Sequence, residues 1–325
     1  MTANLQNPIF TDEAKAREWL EARVWPNGPV CPHCGATDED VRRLEGSKHR
    51  PGLFQCSQCR EQFTVTVKTV FERSKVPLSK WLAALFMMTA SKKGVSAHQI
   101  HRSLAISYKT AWFVCHRLRE AMRVGGLAPL GGSGKVVEAD ERYHGNVDHP
   151  VLRANKAGRV RANRKGNKRP IVALLERGGS VRTFHVPFAT KAKIAKIASE
   201  NIARETRLYT DESNLYPAVG RTFEAHKTVK HSIYEDVRWE DGERIHHTNT
   251  VVGYFSIFKR GMRGVYQHCS EKHLYRCLAE FDFRYSNRAS LGVNDLMRAE
   301  LAAAGIKGKR LTYRRPHRVA QSSAH

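Results

Sequence analysis

The chain reads as an α/β protein: a mixed sheet with helices packed on it, entered through a small metal-held module and a helical segment. Three observations predict this. Past residue 135 the apolar patterns run as three strands, a helix, a strand and further helices, the order of an α/β layer. Before that, residues 78 to 124 carry helical patterns. Nearer the N-terminus, Cys31-Pro32-His33-Cys34 and Cys56-Ser57-Gln58-Cys59 stand as two C-x-x-C pairs separated by twenty-one residues. Each pair predicts a tight knuckle that aims two sulfurs at one point, and four thiolates close a tetrahedral zinc site, the ligand pattern of a zinc ribbon.

Taken in order, residues 11 to 23 predict a capped helix with acid early and Arg late. Trp25-Pro26-Asn27-Gly28-Pro29 is a turn cluster that ends it. The ribbon occupies about 24 to 72, and its second knuckle runs into a β-branched strand, Gln62 to Val67. Leu78 to Ala90 is apolar enough for a buried helix. A short helix capped by Ser96 then ends at Leu104, Ala105-Ile106 turns, and Ser107 caps a longer basic helix through about Arg123. This is a helix-turn-helix layout. On its second helix Tyr108, Lys109, Trp112, His116 and Arg119 offer a DNA-facing surface; the competing reading is a plain bundle with Trp112 in its core. Gly125-Gly126 and Gly131-Gly132-Ser133-Gly134 predict a flexible linker. Strands are expected at 136 to 140 and at 170 to 176, the latter paired as a hairpin with 180 to 186. Further strands are expected at 207 to 211 and 228 to 231, with helices at 191 to 202 and 248 to 260. The expected parts are therefore 1–75 (helix and ribbon), 76–125 (helical), 126–134 (linker), 135–300 (core) and 301–325 (a basic, disordered tail).

Composition limits the partners. The 325 residues include 55 Lys and Arg against 31 Asp and Glu, a net charge of +24, so a polyanion is the expected partner: nucleic acid first, an anionic membrane surface second. With 41% hydrophobic residues the chain has the balance of a folded protein rather than a disordered one. No apolar run approaches the ~20 residues of a membrane-spanning helix. The N-terminal residues lack a signal-peptide layout. A reduced, cytoplasmic setting is expected, and it suits thiolates on zinc. Cys115, Cys269 and Cys277 are expected as small core residues. Residues 151 to 169 hold eight Lys or Arg and no acid. They include Arg161, Arg164, Lys165, Lys168 and Arg169, and the tail adds Lys307, Lys309, Arg310, Arg314, Arg315 and Arg318. Such one-sign blocks are read as phosphate contacts.

Asp140 and Asp211 each end a strand with an apolar stem. Carboxylates from adjacent strands can converge on Mg²⁺, although capping or turn roles are the commoner use of a strand-end Asp. Further stretches join them. They are Thr69-Val70-Phe71-Glu72 with Pro77-Leu78-Ser79-Lys80-Trp81, Ser107 to Trp112, Glu138-Ala139-Asp140-Glu141 and Tyr209-Thr210-Asp211-Glu212-Ser213. Last come His247-Thr248-Asn249-Thr250, Phe255 to Gly261 and Phe281 to Tyr285. In this order, over nearly the whole chain, they resemble the insertion-sequence DDE-type transposases with an N-terminal zinc ribbon and a ribonuclease-H-like, Merlin-related catalytic core.

The resemblance implies a catalytic set of Asp, Asp and a third residue, usually Glu and in some branches Asn or His, followed seven positions later by Lys. Asp140, Asp211 and Lys259 match, with Mg²⁺ or Mn²⁺ on the two Asp. The usual Glu position is Val252, which cannot bind metal. Seven residues are about two helical turns, so 252 and 259 share a face, and Asn249 lies nearly on it. Two readings stand: Asn249 supplies a weak third ligand, or this copy is catalytically defective. The resemblance further implies that water cleaves the phosphodiester at the element's end and that the freed 3′-hydroxyl attacks target DNA. The ribbon and helices would then bind terminal inverted repeats, Lys259 and Arg260 would contact phosphates, and a dimer or larger assembly would form on DNA. The alternatives are a DNA-binding protein without activity and, third, a membrane-surface protein.

Overall fold

The computed structural model describes residues 5–147, 152–154, 160–162, 168–229, 237–240 and 243–312. Helix α1 (Glu13–Val24) starts at Asp12, whose carboxylate accepts from the Ala14 and Lys15 amides at 2.7 and 3.1 Å. It buries Ala16, Leu20 and Val24. Strands β1 (Val41–Leu44), β2 (Leu53–Cys56) and β3 (Gln62–Phe63) form a small antiparallel sheet in that order. Trp25 packs edge-on against Phe54 and Phe63, which stack on each other at 5.7 Å. The strand expected to reach Val67 stops at Phe63, because the chain turns there: the Val67 amide bonds the Thr64 carbonyl and Lys68 is left-handed at φ 55°. The turn brings Val65 and Val70 into the core.

Helix α2 (Leu78–Ala90) is buried along most of its surface. Pro77 cannot cap it through a side chain, and Glu13 of α1 does so instead, accepting from the Leu78 and Ser79 amides at 2.8 and 3.0 Å. Ser96 caps α3 (Ala97–Leu104), accepting from Gln99, and Ser107 caps α4 (Tyr108–Met122), accepting from Thr110. Between them Ala105 adopts the left-handed conformation, φ 48°, which makes the turn tight. The helix-turn-helix layout is therefore present in the backbone.

Five strands form the main sheet, in the order β10-β9-β4-β7-β8. They are β4 (Val136–Asn146), β7 (Lys168–Glu176), β8 (Val181–His185), β9 (Arg207–Asp211) and β10 (Ala225–Val229). β4, β7 and β8 are an antiparallel meander, and β9 and β10 run parallel to β4 beyond it. This is the ribonuclease-H-like mixed sheet. Short pairs β5 (Leu152–Ala154) with β6 (Val160–Ala162), and β11 (Arg238–Glu240) with β12 (Glu243–His246), form separate two-stranded ladders. Helices α5 (Lys191–Asn201) and α6 (Pro217–Gly220) cover one face through Val137, Ala139, Val172 and Leu174. Helices α7 (Asn249–Gly261) and α8 (Glu271–Ser286) cover the other through Ile171, Ala173 and Leu175.

Two expectations about connecting segments are corrected. The second half of the Gly-rich linker is fastened: Leu130 is buried, it exchanges backbone bonds with Asn201 and Ala203, and the Gly131 and Gly132 amides bond Glu176 and Thr206. The tail expected to be disordered from 301 is ordered to 312. Helix α9 (Asp295–Ala304) packs on α2, Ile306 is fully buried, and Lys307 bridges to Thr69. Ala302, Ala303 and Ile306 thereby join one core with the ribbon, α1, α2 and α4, across the boundary drawn at 75. Arg314, Arg315 and Arg318 lie outside the described residues. Cys115 and Cys277 are buried, and Cys269 is half-buried. Among the described residues no helix is long and apolar enough to cross a membrane.

Candidate active site and metal centre

The four cysteines converge. The Sγ atoms of Cys31, Cys34, Cys56 and Cys59 all lie within 4.8 Å of one another, with 3.6 Å between Cys31 and Cys59 and between Cys34 and Cys56. Tetrahedral zinc with Zn–S near 2.3 Å needs sulfurs about 3.8 Å apart, so the cluster fits zinc. The two knuckles are built alike. The first Cys amide of each bonds a carbonyl five residues on, Cys31 to Ala36 and Cys56 to Glu61. The residue after each second Cys is left-handed, Gly35 at φ 86° and Arg60 at φ 60°. Burial pushes the Cys31 thiol up, but hydrogen bonds from the backbone of Cys34 and His33, and from Cys34 and Cys59, bring it down to about 7. That favours the thiolate a metal requires.

In the main sheet the parallel β4–β9 ladder pairs Ala139 with Thr210, so the next residues in register are Asp140 and Asp211. Paired residues of adjacent strands share a face, and adjacent strands lie ~4.8 Å apart. Across β7, Asp140 stands opposite Ala173, which faces α7 and α8. Both carboxylates therefore belong to the α7 side of the sheet. Asp140 is nearly buried, at 9% exposure, and Asp211 is half-buried. Burial pushes the Asp140 carboxyl up to about 7; Arg142, 3.9 Å away, pulls it down, and the charges of Asp211 and Glu141 push it further up. A carboxylate pair held against its own repulsion and short of water is a site that gains from a divalent cation.

Glu141 points from the opposite side of β4. It accepts from Tyr216 Oη at 2.6 Å and from Ser213 Oγ at 3.1 Å. Burial raises its carboxyl, Tyr216 lowers it and Asp211 raises it again. The motif containing Glu141 is part of the sequence resemblance, but no role for this residue is legible in it.

Helix α7 is fastened to β4 on either side of Asp140. At its N-terminus fully buried Glu138 accepts from Thr250 Oγ1 at 2.8 Å and from the Val251 amide at 2.9 Å. Arg177 donates to the same carboxylate at 2.6 Å and to the His247 carbonyl at 2.7 Å. Further along, the His144 ring meets Phe258 edge-on at 5.2 Å. Glu138 thus satisfies one orphan amide at the start of α7, that of Val251, with a charge that the helix dipole favours. Sequence reasoning missed it, although an acid between two buried apolar residues, Val137 and Ala139, is its signal.

The remaining expected site residues are distributed as follows. Asn249 is exposed at the first position of α7, and among the described residues no hydrogen bond or ion pair links it to Asp140 or Asp211. Val252 is half-buried one turn on, and Lys259 and Arg260 are exposed near the helix end. On α4, Tyr108 and Lys109 are exposed and Trp112 half-buried. His116 and Arg119 are corrected: both are buried, because α8 packs over the inner half of α4. Arg119 donates to fully buried Glu280 at 2.7 Å. Burial, with Arg119, His273 and Arg276 nearby, pushes His116 down to about 2, so it is neutral. Arg169 is corrected too: it is buried and donates to the Cys269 carbonyl. Lys168 donates to Asn146 Oδ1 at 2.9 Å. Arg161 lies on β6, where only the backbone is described, and Arg164 and Lys165 lie outside the described residues.

Comparison with known proteins accords with this geometry. Residues 129–286 match the family model of the ISXO2-like transposase domain, and residues 11–62 match that of the transposase zinc-ribbon domain. A relative from Halobacterium salinarum, described as an uncharacterized protein in transposable element ISH50, is 27% identical over 266 residues, covering 79% of this chain and 86% of its own. A solved pre-cleavage Mos1 transpososome aligns over 90% of this chain and 98% of its own, at 10% identity and a TM-score of 0.19, too loosely to carry an argument.

Proposed function

Because the chain belongs to the zinc-ribbon insertion-sequence transposases with an ISXO2-like DDE domain, we propose that it cleaves and joins DNA strands at the ends of its own element. The observation that carries this reading is the pairing of Asp140 and Asp211 on one face of adjacent parallel strands beneath α7. These two residues would hold Mg²⁺ or Mn²⁺. A divalent metal bound there supplies positive charge that offsets the charge gathering on the phosphate oxygens in a phosphodiester displacement. The chain's own contribution is placement. Glu138 fixes the start of α7 against β4, and exposed Lys259 and Arg260 meet phosphates beside the carboxylates. Residues 1 to 125 would recognise the terminal repeats, and 135 to 300 would act on them. Two copies would assemble on DNA, since two ends must be joined in concert.

A second reading rests on Val252. With an apolar side chain where the family carries Glu, and Asn249 exposed without a bond to either Asp, this copy would bind DNA and leave it uncut. A strand-transfer assay with element ends, supercoiled target and Mn²⁺ separates the two. Product from the wild type that disappears in Asp140→Ala supports the enzyme. No product from the wild type, but product from Val252→Glu, overturns native activity and establishes the second reading.

A further inference from the structure

A cleft of about 1420 Å³ opens between the α3–α4 pair and residues 264–277. We propose that it holds an unpaired DNA strand, with bases stacked on its aromatic wall and phosphates on the cations at its rim. The proposal rests on the transposase reading, which supplies DNA ends whose strands are cut and separated.

The wall is aromatic and stepped. At the mouth His98 and exposed Tyr108 stack at 4.2 Å, inclined by only 21°. Deeper in, Trp112 contacts His116 at 4.1 Å, and His273 of α8 meets both, at 5.5 and 4.6 Å. Tyr108, Trp112 and His116 are four residues apart on α4, so they form one stripe from the mouth inward. Arg102, Lys109 and Lys272 stand exposed around it, and no Asp or Glu lines the cleft. Among the described residues no carboxylate forms a salt bridge with these three cations. The acids behind the wall are already engaged, Glu280 by Arg119 and Glu120 by Arg276.

This combination selects the form of the nucleic acid. A duplex presents base edges and phosphates, whereas an aromatic face gains its stacking partner only from a base that has left the helix. The cleft exceeds the roughly 300–1000 Å³ that encloses a drug-sized ligand, so it has room for a nucleotide and its neighbour. Its floor is irregular backbone: a π-helical turn, Met262–Tyr266, followed by Gln267 at φ 56°. Both are irregularities that cluster at functional sites. The turn continues directly from α7, a helix about 20 Å long that is fastened to β4 on either side of Asp140, so the cleft opens off the same rigid element that covers the carboxylate face.

Fluorescence anisotropy of the full, zinc-loaded chain tests this with two probes: fluorescein-labelled oligothymidylate, and a blunt duplex carrying the element's ends. Trp112→Ala should weaken oligothymidylate binding by about ten-fold, the loss of one stacking platform, with a smaller effect on the duplex. Trp112→Phe should recover most of it. Because Lys272 is exposed, Lys272→Ala tests the rim without disturbing the fold and should weaken oligothymidylate as well. Duplex binding without oligothymidylate binding, or oligothymidylate binding indifferent to both Trp112→Ala and Lys272→Ala, overturns the cleft and leaves the transposase reading intact. Failure of both probes to bind at low salt overturns the transposase reading and the cleft with it.

Discussion

Asp282, half-buried on α8, is held by donors from β8 and α7. It accepts from the Thr183 amide at 2.8 Å and from Tyr254 Oη at 2.6 Å. Burial raises it to about 7 even though those hydrogen bonds pull it down. In the unfolded chain it titrates near ~4. The folded state therefore binds the extra proton between about pH 4 and 7, and stability falls as pH rises through that window. Thermal midpoints measured across it should decline by an amount worth a few kcal/mol at most, and Asp282→Asn should flatten the slope. Asp140 bears the same sign, with a metal as its remedy. Asp140→Asn should raise the midpoint at pH 8 without metal, and it should abolish the rise that Mn²⁺ gives the wild type. An Mn²⁺-dependent rise that persists in Asp140→Asn would remove this residue from the metal site.

At the scale of the element, α7 depends on Glu138. Glu138→Ala removes the carboxylate partner of Arg177, Thr250 and the Val251 amide and should cost about 3–5 kcal/mol in urea denaturation, the penalty of breaking a buried pair. Ser107→Ala at the α4 cap should cost about 1 kcal/mol in the same experiment. The contrast between these two residues marks what was legible in the sequence. Ser96 and Ser107 act within their own turns, and each cysteine knuckle closes within five residues, so local reading found them. The apolar stems before the two Asp placed them at strand ends, and only the family resemblance singled them out as a pair. Glu138 was not, because Arg177 and Val251, its partners, are brought to it only by the sheet. The inner half of the α4 stripe misled for the same reason. His116 and Arg119 look like an open basic face until α8, more than 150 residues later in the chain, packs over them. Charge alone also cannot distinguish Lys109, which meets solvent, from Arg119, which meets Glu280.

For the molecule as a whole, the shared core alters what zinc removal should do. From sequence, losing the metal should unfold about the first 75 residues and leave the remainder folded. In the structure Phe54, Phe63 and Val65 of the ribbon share a core with Leu82 and Leu85 of α2 and with Ala302 and Ile306. Chelation should therefore lower hydrogen-exchange protection in α2 and α9 as well, while the central strands β4 and β7 keep theirs. Unchanged protection in α9 would show that its packing does not rest on the ribbon. DNA affinity should fall steeply with salt, as expected for a chain of net charge +24, and the slope should survive a neutral replacement at buried Arg169 but diminish at Lys109.

The packing of α9 against α2 also imposes an order in time. A ribosome releases the ribbon and α2 long before it has made Ile306, a fully buried member of the core they share. Between Met122 and Ile306, synthesis at about 5–20 residues per second takes roughly 10–40 s. Throughout that interval these elements carry an uncovered apolar face, and they cannot reach their final form until every strand of the main sheet has been made. The ribbon and helices that we propose recognise DNA are thus translated before the main sheet and finished after it, so a nascent chain cannot complete them before the strands bearing Asp140 and Asp211 exist.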